Sequence, residues 1–229
     1  LAGPLLDSLR CALERARAFT SAARAARAGT ATGLFSSDDA AAAARAAEGA
    51  LDTARLACRV FFSLNSPGLT EVFEEALPGW MESLLAALTV EDPNEHTGSS
   101  GSPSEQQQRF PDAAAAQAAV AAAVAAASGP GAVSLPPRGN DDAPTVADAL
   151  RASVCDAINL FVEVNEEEFA PYLPRFAAAV WALLVKVSAS YSSAAASPSS
   201  APSSSSSSSS DSRSDAVAIA AMRFLTTVA

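Results

Sequence analysis

The sequence has little of what enzymes and metal sites use. Its 229 residues include one histidine, His96, and three cysteines, Cys11, Cys58 and Cys155. None of the cysteines belongs to a CxxC pair, so the ligand spacing of a zinc site is missing. An odd number of widely spaced cysteines in helical patterns predicts reduced, buried thiols. Since the sequence also lacks a nucleophile–base pair and phosphate or dinucleotide motifs, we expect no catalysis, metal or cofactor.

Positive charge and long apolar runs are scarce too. Fifteen Lys and Arg stand against 25 Asp and Glu, which gives a net charge of −10. Such a chain is poorly suited to nucleic acid and suits basic protein partners, although solubility alone also explains the charge. No apolar run reaches the roughly 20 residues of a membrane helix, so we expect no membrane insertion. Because the sequence begins at Leu1 and not at Met, we expect a fragment of a longer protein.

Apolar periodicity predicts helices with no sheet. The predicted ranges are 4–28, 40–64, 70–89, 146–164 and 171–187, with further helix at 112–127 and from about 215. We expect Asp38 or Asp39 to cap the second helix and Pro78 to kink or begin the third. The arginines of the first helix should lie in water: Arg10, Arg15, Arg17, Arg24 and Arg27.

An internal repeat is the most informative pattern. Residues 73–88 match residues 169–184 at an offset of 96, pairing Phe73 with Phe169 and Trp80 with Phe176. Residues 60–61 match 160–161 at an offset of 100, and residues 158–161 match 222–225 at an offset of 64. The offset of 96 falls to 42 when the 54 residues of 91–144 are removed, and that of 64 falls to 38 without the 26 residues of 189–214. Both values lie near the roughly 40–47 residues of a HEAT helix pair.

The repeat predicts an all-α, α-α superhelix of the HEAT/armadillo-like solenoid type with disordered low-complexity insertions. We assign residues 1–90 to HEAT-type helices, 91–144 to a low-complexity insertion and 145–188 to a HEAT helix pair. Residues 189–214 are assigned to a Ser-rich linker and 215–229 to the start of the next repeat. We expect the large aromatics Phe73, Trp80, Phe169 and Trp181 to lie in the core, with a role as binding anchors as the alternative.

Two long strings also carry a family resemblance. FFSLNSPGLTEVFEEALPGWMESLLAALTVED and LRASVCDAINLFVEVNEEEFAPYLPRFAAAVWALL resemble the central HEAT region of the CAS exportin family, in the importin-beta (karyopherin) superfamily. The pattern FxxYLPRFxxxxWxLL at 169–184 is the most specific element. The resemblance implies a receptor that shuttles between nucleus and cytoplasm and binds Ran-GTP and importin-alpha together. The alternative is a HEAT scaffold with another partner, which periodicity alone does not separate.

Glutamates cluster around the two matching turns of the repeat. As an acidic rim they would meet basic surfaces of importin-alpha or Ran, whereas their other reading is a solvated helix face. Consecutive exposed glutamates offer no pocket to perturb them, which argues against acid–base catalysis. The candidate partner surface consists of Glu71, Glu74, Glu75, Glu82, Glu163, Glu166, Glu167 and Glu168.

Overall fold

The computed structural model describes residues 2–30, 33–94, 113–128, 144–195 and 211–228. Within these ranges every regular element is an α-helix, which confirms the all-α class. The helices are α1 (Ala2–Thr30), α2 (Ser37–Asn65), α3 (Glu71–Glu75), α4 (Leu77–Leu88), α5 (Ala113–Ser128), α6 (Val146–Val164), α7 (Glu166–Phe169), α8 (Leu173–Ala195) and α9 (Asp211–Val228).

The chain forms two compact units. One comprises Leu1–Arg10, Thr53–Thr89 and Pro136–Ala229, and the other comprises Cys11–Asp52 and Val90–Leu135. We call them the aromatic unit and the alanine unit, after the residues that dominate their cores. The division differs from the predicted one, because it cuts across α1 and α2 and places part of the predicted insertion in a compact unit.

Several predicted helix ends need correction. Ser36, and not Asp38 or Asp39, caps α2: Asp39 N–H donates to Ser36 Oγ at 3.1 Å, and Ser36 N–H donates back to Asp39 Oδ2 at 3.0 Å. The third predicted helix is divided at Ala76, and Pro78 lies in the first turn of α4, where a proline's missing N–H costs little. Residues 166–168, predicted as a break, begin the short helix α7.

Helix also enters the predicted low-complexity segments. Helix α5 agrees with the helix expected at 112–127. Helix α8 continues to Ala195 and α9 begins at Asp211, so both ends of the segment 189–214 are helical. The expected disorder of the remainder falls on positions 95–112, 129–143 and 196–210, which lie outside the described residues.

The alanine unit packs small side chains. Alanines of α1 and α2 meet Val120 and Ala123 of α5, with Phe19 and Phe35 partly buried against them. Arg24 and Arg27, two of the arginines that were expected in water, are half-buried and engaged. Arg24 pairs with Glu91, and Arg27 donates to Asn94 Oδ1 at 3.2 Å. These contacts hold the segment after α4 against α1.

The aromatic unit contains the predicted repeat. Helix α2 ends in an Asn65–Gly68 turn, in which Gly68 has φ +137° and its N–H donates to the Asn65 carbonyl at 3.1 Å. The chain then turns into α3 and α4. Helices α6, α7 and α8 repeat this arrangement, and α6 packs against α4 and α9. Successive helix pairs that contact their neighbours are the arrangement of a HEAT-type solenoid, and the predicted fold class is confirmed.

Burial corrects the register of the last helix. The offset of 64 pairs Phe161, which is fully buried, with the half-buried Leu225, and Ile158 with the exposed Met222. An offset of 63 matches the large buried positions, since Val154, Ile158 and Phe161 then correspond to the buried Val217, Ala221 and Phe224. The pattern of apolar residues allowed both registers, and packing against α6 selects the second.

Candidate functional site: an acidic surface and a groove between helices

All eight candidate glutamates lie on the surface of the aromatic unit. Glu71, Glu74 and Glu75 are on α3, and residues 166–168 are in the first turn of α7, the equivalent position of the next repeat. The structure therefore places acidic groups at the same turn in two successive helix pairs. Their buried neighbours Phe73 and Phe169 anchor these turns in the core.

Glu82 has a structural partner. Its carboxylate accepts two hydrogen bonds from the Arg175 guanidinium, one from Nη1 and one from Nη2 at 3.0 Å. The side-chain hydrogen bonds to Arg175 lower the pKa of Glu82. Because Glu82 lies on α4 and Arg175 on α8, the pair joins the second helices of adjacent repeats. Glu82 is thus committed within the fold and is the least available of the candidate partner residues.

Glu163 lies in a different place, in a groove of about 520 Å³ lined by α2, α6 and α9. Its Oε1 accepts a hydrogen bond from Asn159 Nδ2 at 2.8 Å. The charged side chains Arg59, Asp156 and Arg223 also line the groove, together with Phe62. Burial raises the pKa of the Asp156 carboxyl, and the positive charge of Arg223 opposes that rise.

Sequence reasoning missed this groove. The signal that could have revealed it is the spacing of Asp156, Asn159 and Glu163, which places three oxygen-bearing side chains on one face of α6. Arg59 comes from α2 and Arg223 from α9, and no local pattern links these residues to α6. These charged side chains come together only because the first helices of three successive repeats, α2, α6 and α9, line the same groove.

The expectation for Trp181 was wrong. Phe73, Trp80 and Phe169 are buried as expected, whereas Trp181 is 63% exposed. Its equivalent in the preceding repeat is Leu85 of α4, which is half-buried. On α8 the exposed side chains Ala178, Trp181, Ala182 and Val185 form one stripe. In the preceding repeat, the position equivalent to Ala178 is Glu82 of α4, and Arg175 of α8 contacts that residue. The structure shows no corresponding helix over the stripe of α8 within the described residues.

The cysteines differ in environment. Cys58 and Cys155 are buried, and burial raises the pKa of each thiol to about 12, with the negative charge of Asp156 adding to the effect at Cys155. Cys11 is exposed, contrary to the expectation of three buried thiols. All three are free. Among the described residues no group of His, Cys, Asp or Glu is arranged to hold a metal ion.

The described part of the chain also contains no helix with both the length and the apolar character needed to span a membrane.

Comparison with known proteins relates the chain to one family. The Cse1 family model matches residues 31–108 and 132–195, which is more than half of the chain. Exportin-2 of Drosophila melanogaster is 29% identical over 130 residues, covering 57% of this chain and 9% of that protein. Exportin-2 of Homo sapiens is 24% identical over 130 residues with the same coverage. Exportin-2 of Dictyostelium discoideum is 37% identical over 49 residues, covering 21% of this chain and 5% of that protein.

No solved structure matches the chain significantly. The chain spans about a tenth of the length of the curated relatives that it matches. The matched ranges include the two turns with their glutamates, the Glu82–Arg175 pair and the α6 wall of the groove. On the strength of this match and of the paired helices, the chain belongs to the Cse1 family, a family of nuclear export receptors.

Proposed function

We propose that this chain is a segment of a nuclear export receptor that serves as a scaffold for the Ran-GTP-dependent export of importin-alpha to the cytoplasm. The observation that carries the proposal is the family match over helix pairs whose equivalent turns both expose acidic residues. A receptor of this kind works by binding and not by catalysis. It shuttles between nucleus and cytoplasm.

The proposed partner surface is acidic. Six of the candidate glutamates remain best placed for it once Glu82 is assigned to its ion pair and Glu163 to the groove. Complementary charge raises the rate of encounter and fixes orientation more than it adds affinity. We therefore expect these residues to affect association more than dissociation: Glu71, Glu74, Glu75, Glu166, Glu167 and Glu168.

The direct test uses the native full-length protein. Immobilised receptor is exposed to importin-alpha with and without Ran loaded with a non-hydrolysable GTP analogue. Capture that requires loaded Ran supports the export function. Equal capture with and without Ran, or no capture by a folded receptor, contradicts it and favours a HEAT scaffold with another partner.

A second experiment tests the acidic surface. Replacing Glu71, Glu74 and Glu75 together by Gln should slow association with the basic partner and weaken its dependence on salt, since screening acts on exposed charges. The matched control replaces three exposed acids away from these turns, Asp7, Glu14 and Asp38, by the corresponding amides. Equal losses of association rate in the two variants would mean that net charge alone causes the effect and that the acidic turn is not part of the interface.

A further inference from the structure

We propose that the groove between α2, α6 and α9 binds an arginine side chain of a partner protein. The groove is defined here by Arg59, Phe62, Asp156, Asn159, Glu163 and Arg223. This proposal goes beyond the export function and does not depend on it, since it rests on the groove's own side chains.

The orientation of Asn159 decides the chemistry of the ligand. The residue is only 9% exposed, and its Nδ2 donates to Glu163 Oε1 at 2.8 Å. This bond fixes which way the amide points, because a flipped amide would bring its oxygen against the carboxylate. Asn159 Oδ1 is left as a buried acceptor without a hydrogen-bond partner among the described residues. A buried acceptor of this kind favours a ligand that donates.

The neighbouring groups on α6 have the same preference. Asp156 and Glu163 stand one turn before and one turn after Asn159 on the same face of the helix. The wall therefore offers two carboxylates and an amide oxygen, all acceptors. Guanidinium and ammonium groups are donors only and carry the complementary charge. An anionic ligand would meet three acceptors on this wall and would leave Asn159 Oδ1 unsatisfied.

The remaining groups restrict where the ligand sits. The positive charge of Arg223 acts on Asp156, which partly neutralises that end of the groove. The negative charge of Glu163 faces only the neutral amide of Asn159 in the contacts observed here. Phe62 supplies an apolar surface for the methylene stem of a long basic side chain. The ligand is thus expected at the Asn159–Glu163 end.

Arg59 carries a positive charge that would repel a cationic ligand in the groove. It lies on α2 at the repeat position equivalent to Asn159, and it lines the same groove. Like charges repel, so its removal should strengthen the binding of a cation and weaken that of an anion. Arg59→Leu therefore distinguishes the two kinds of ligand by the sign of its effect.

The test measures binding of N-acetyl-arginine methylamide to the native full-length protein by saturation-transfer difference NMR. The isosteric neutral citrulline derivative and the glutamate derivative serve as comparison ligands. We expect binding of the arginine derivative over both. Glu163→Gln should weaken it by about tenfold, the effect of losing a charge-assisted hydrogen bond, and Asn159→Leu should weaken it as well. Glu14→Gln, which changes an exposed acid of α1 outside both the groove and the acidic turns, should leave it unchanged.

Four results would overturn the proposal: no detectable binding of the arginine derivative, equal binding of the citrulline derivative, stronger binding of the glutamate derivative, or equal losses in Glu163→Gln and Glu14→Gln. Because Glu163 is exposed, its variant should fold normally, and a thermal melt confirms this. If Asn159→Leu fails to fold, Glu163→Gln and Arg59→Leu still decide the outcome.

Discussion

Phe61 of α2 stacks on Phe161 of α6, with ring centroids 5.5 Å apart and ring planes 15° from parallel. The two residues are equivalent positions of the repeat, at an offset of 100. Each ring also contacts an aromatic ring later in its own repeat. The Phe61 ring stacks on Trp80 with centroids 4.1 Å apart, and the Phe161 centroid lies 6.3 Å from that of Phe169. A row of aromatic rings thus runs through the aromatic unit and ties one repeat to the next.

The first prediction concerns this row. Phe61→Ala should lower the free energy of unfolding by about 3–5 kcal/mol, because it leaves a cavity between Trp80 and Phe161. Val72→Ala, at a position that is 56% exposed, should cost less than about 0.5 kcal/mol. Chemical denaturation followed by circular dichroism compares the variants. A loss at Phe61 no larger than that at Val72 would show that the ring is not part of the core.

The second prediction concerns the cysteines. Alkylation at pH 8 should modify Cys11 rapidly and leave Cys58 and Cys155 unmodified, because a thiol with a pKa of about 12 is almost entirely protonated and the buried sulfur is out of reach. Of these three thiols, mass spectrometry should find only Cys11 modified in the folded protein and all three modified after denaturation. Rapid native labelling of Cys58 would contradict the buried environment.

The third prediction is a pH dependence of the Glu82–Arg175 pair. The pKa of Glu82 is lowered in the folded chain by its hydrogen bonds to Arg175. The ionised group therefore adds stability above its unfolded pKa, and this contribution is lost as the pH falls through the folded pKa. Glu82→Gln should be slightly less stable than the parent protein at pH 7, since exposed pairs contribute little. The difference should disappear in acid. Glu75→Gln, which changes an exposed acid on α3, is the control. An equal loss of stability in this variant would show that the Glu82–Arg175 pair makes no contribution of its own.

The fourth prediction concerns the N-cap of α2. Ser36→Ala removes the hydroxyl that accepts the Asp39 N–H and should cost about 1 kcal/mol of stability. It should also raise the pKa of Asp39, which the backbone and side-chain hydrogen bonds of Ser36 hold below its usual value; the backbone bond is retained, so the rise is partial. Thermal denaturation and NMR titration measure the two effects. Ser37→Ala, one residue later, should leave both nearly unchanged.

The fifth prediction uses the two tryptophans as reporters. In the 229-residue chain, a Trp80→Phe variant retains only Trp181, whose fluorescence should be red-shifted and readily quenched by acrylamide because the ring is 63% exposed. The Trp181→Phe variant retains only Trp80, which is fully buried and should be blue-shifted and protected. Protection of Trp181 at low protein concentration would mean that its stripe on α8 is covered.

Local periodicity and helix packing specify different features of this chain. The all-α class, the equivalence of Phe61 with Phe161 and the helix at 146–164 followed from local periodicity. They could be predicted because helical spacing and repeated bulky residues belong to short stretches of chain. The exact register of α9 could not, since one-residue shifts leave an alanine-rich apolar pattern almost unchanged and only its packing on α6 distinguishes them.

Local patterns in the sequence are enough to specify that the chain forms paired helices, that their bulky residues make a repeating core and that their turns carry acid. Which candidate residues remain available depends on how the helices pack. Glu82 pairs with Arg175, which is 93 residues away in the sequence. Trp181 is exposed, whereas Leu85 at the equivalent position of the preceding repeat is half-buried. Asn159 lines the same groove as Arg59 and Arg223. The physical reason is that periodicity specifies which side of a helix is apolar, whereas neighbouring helices determine which part of that side is covered.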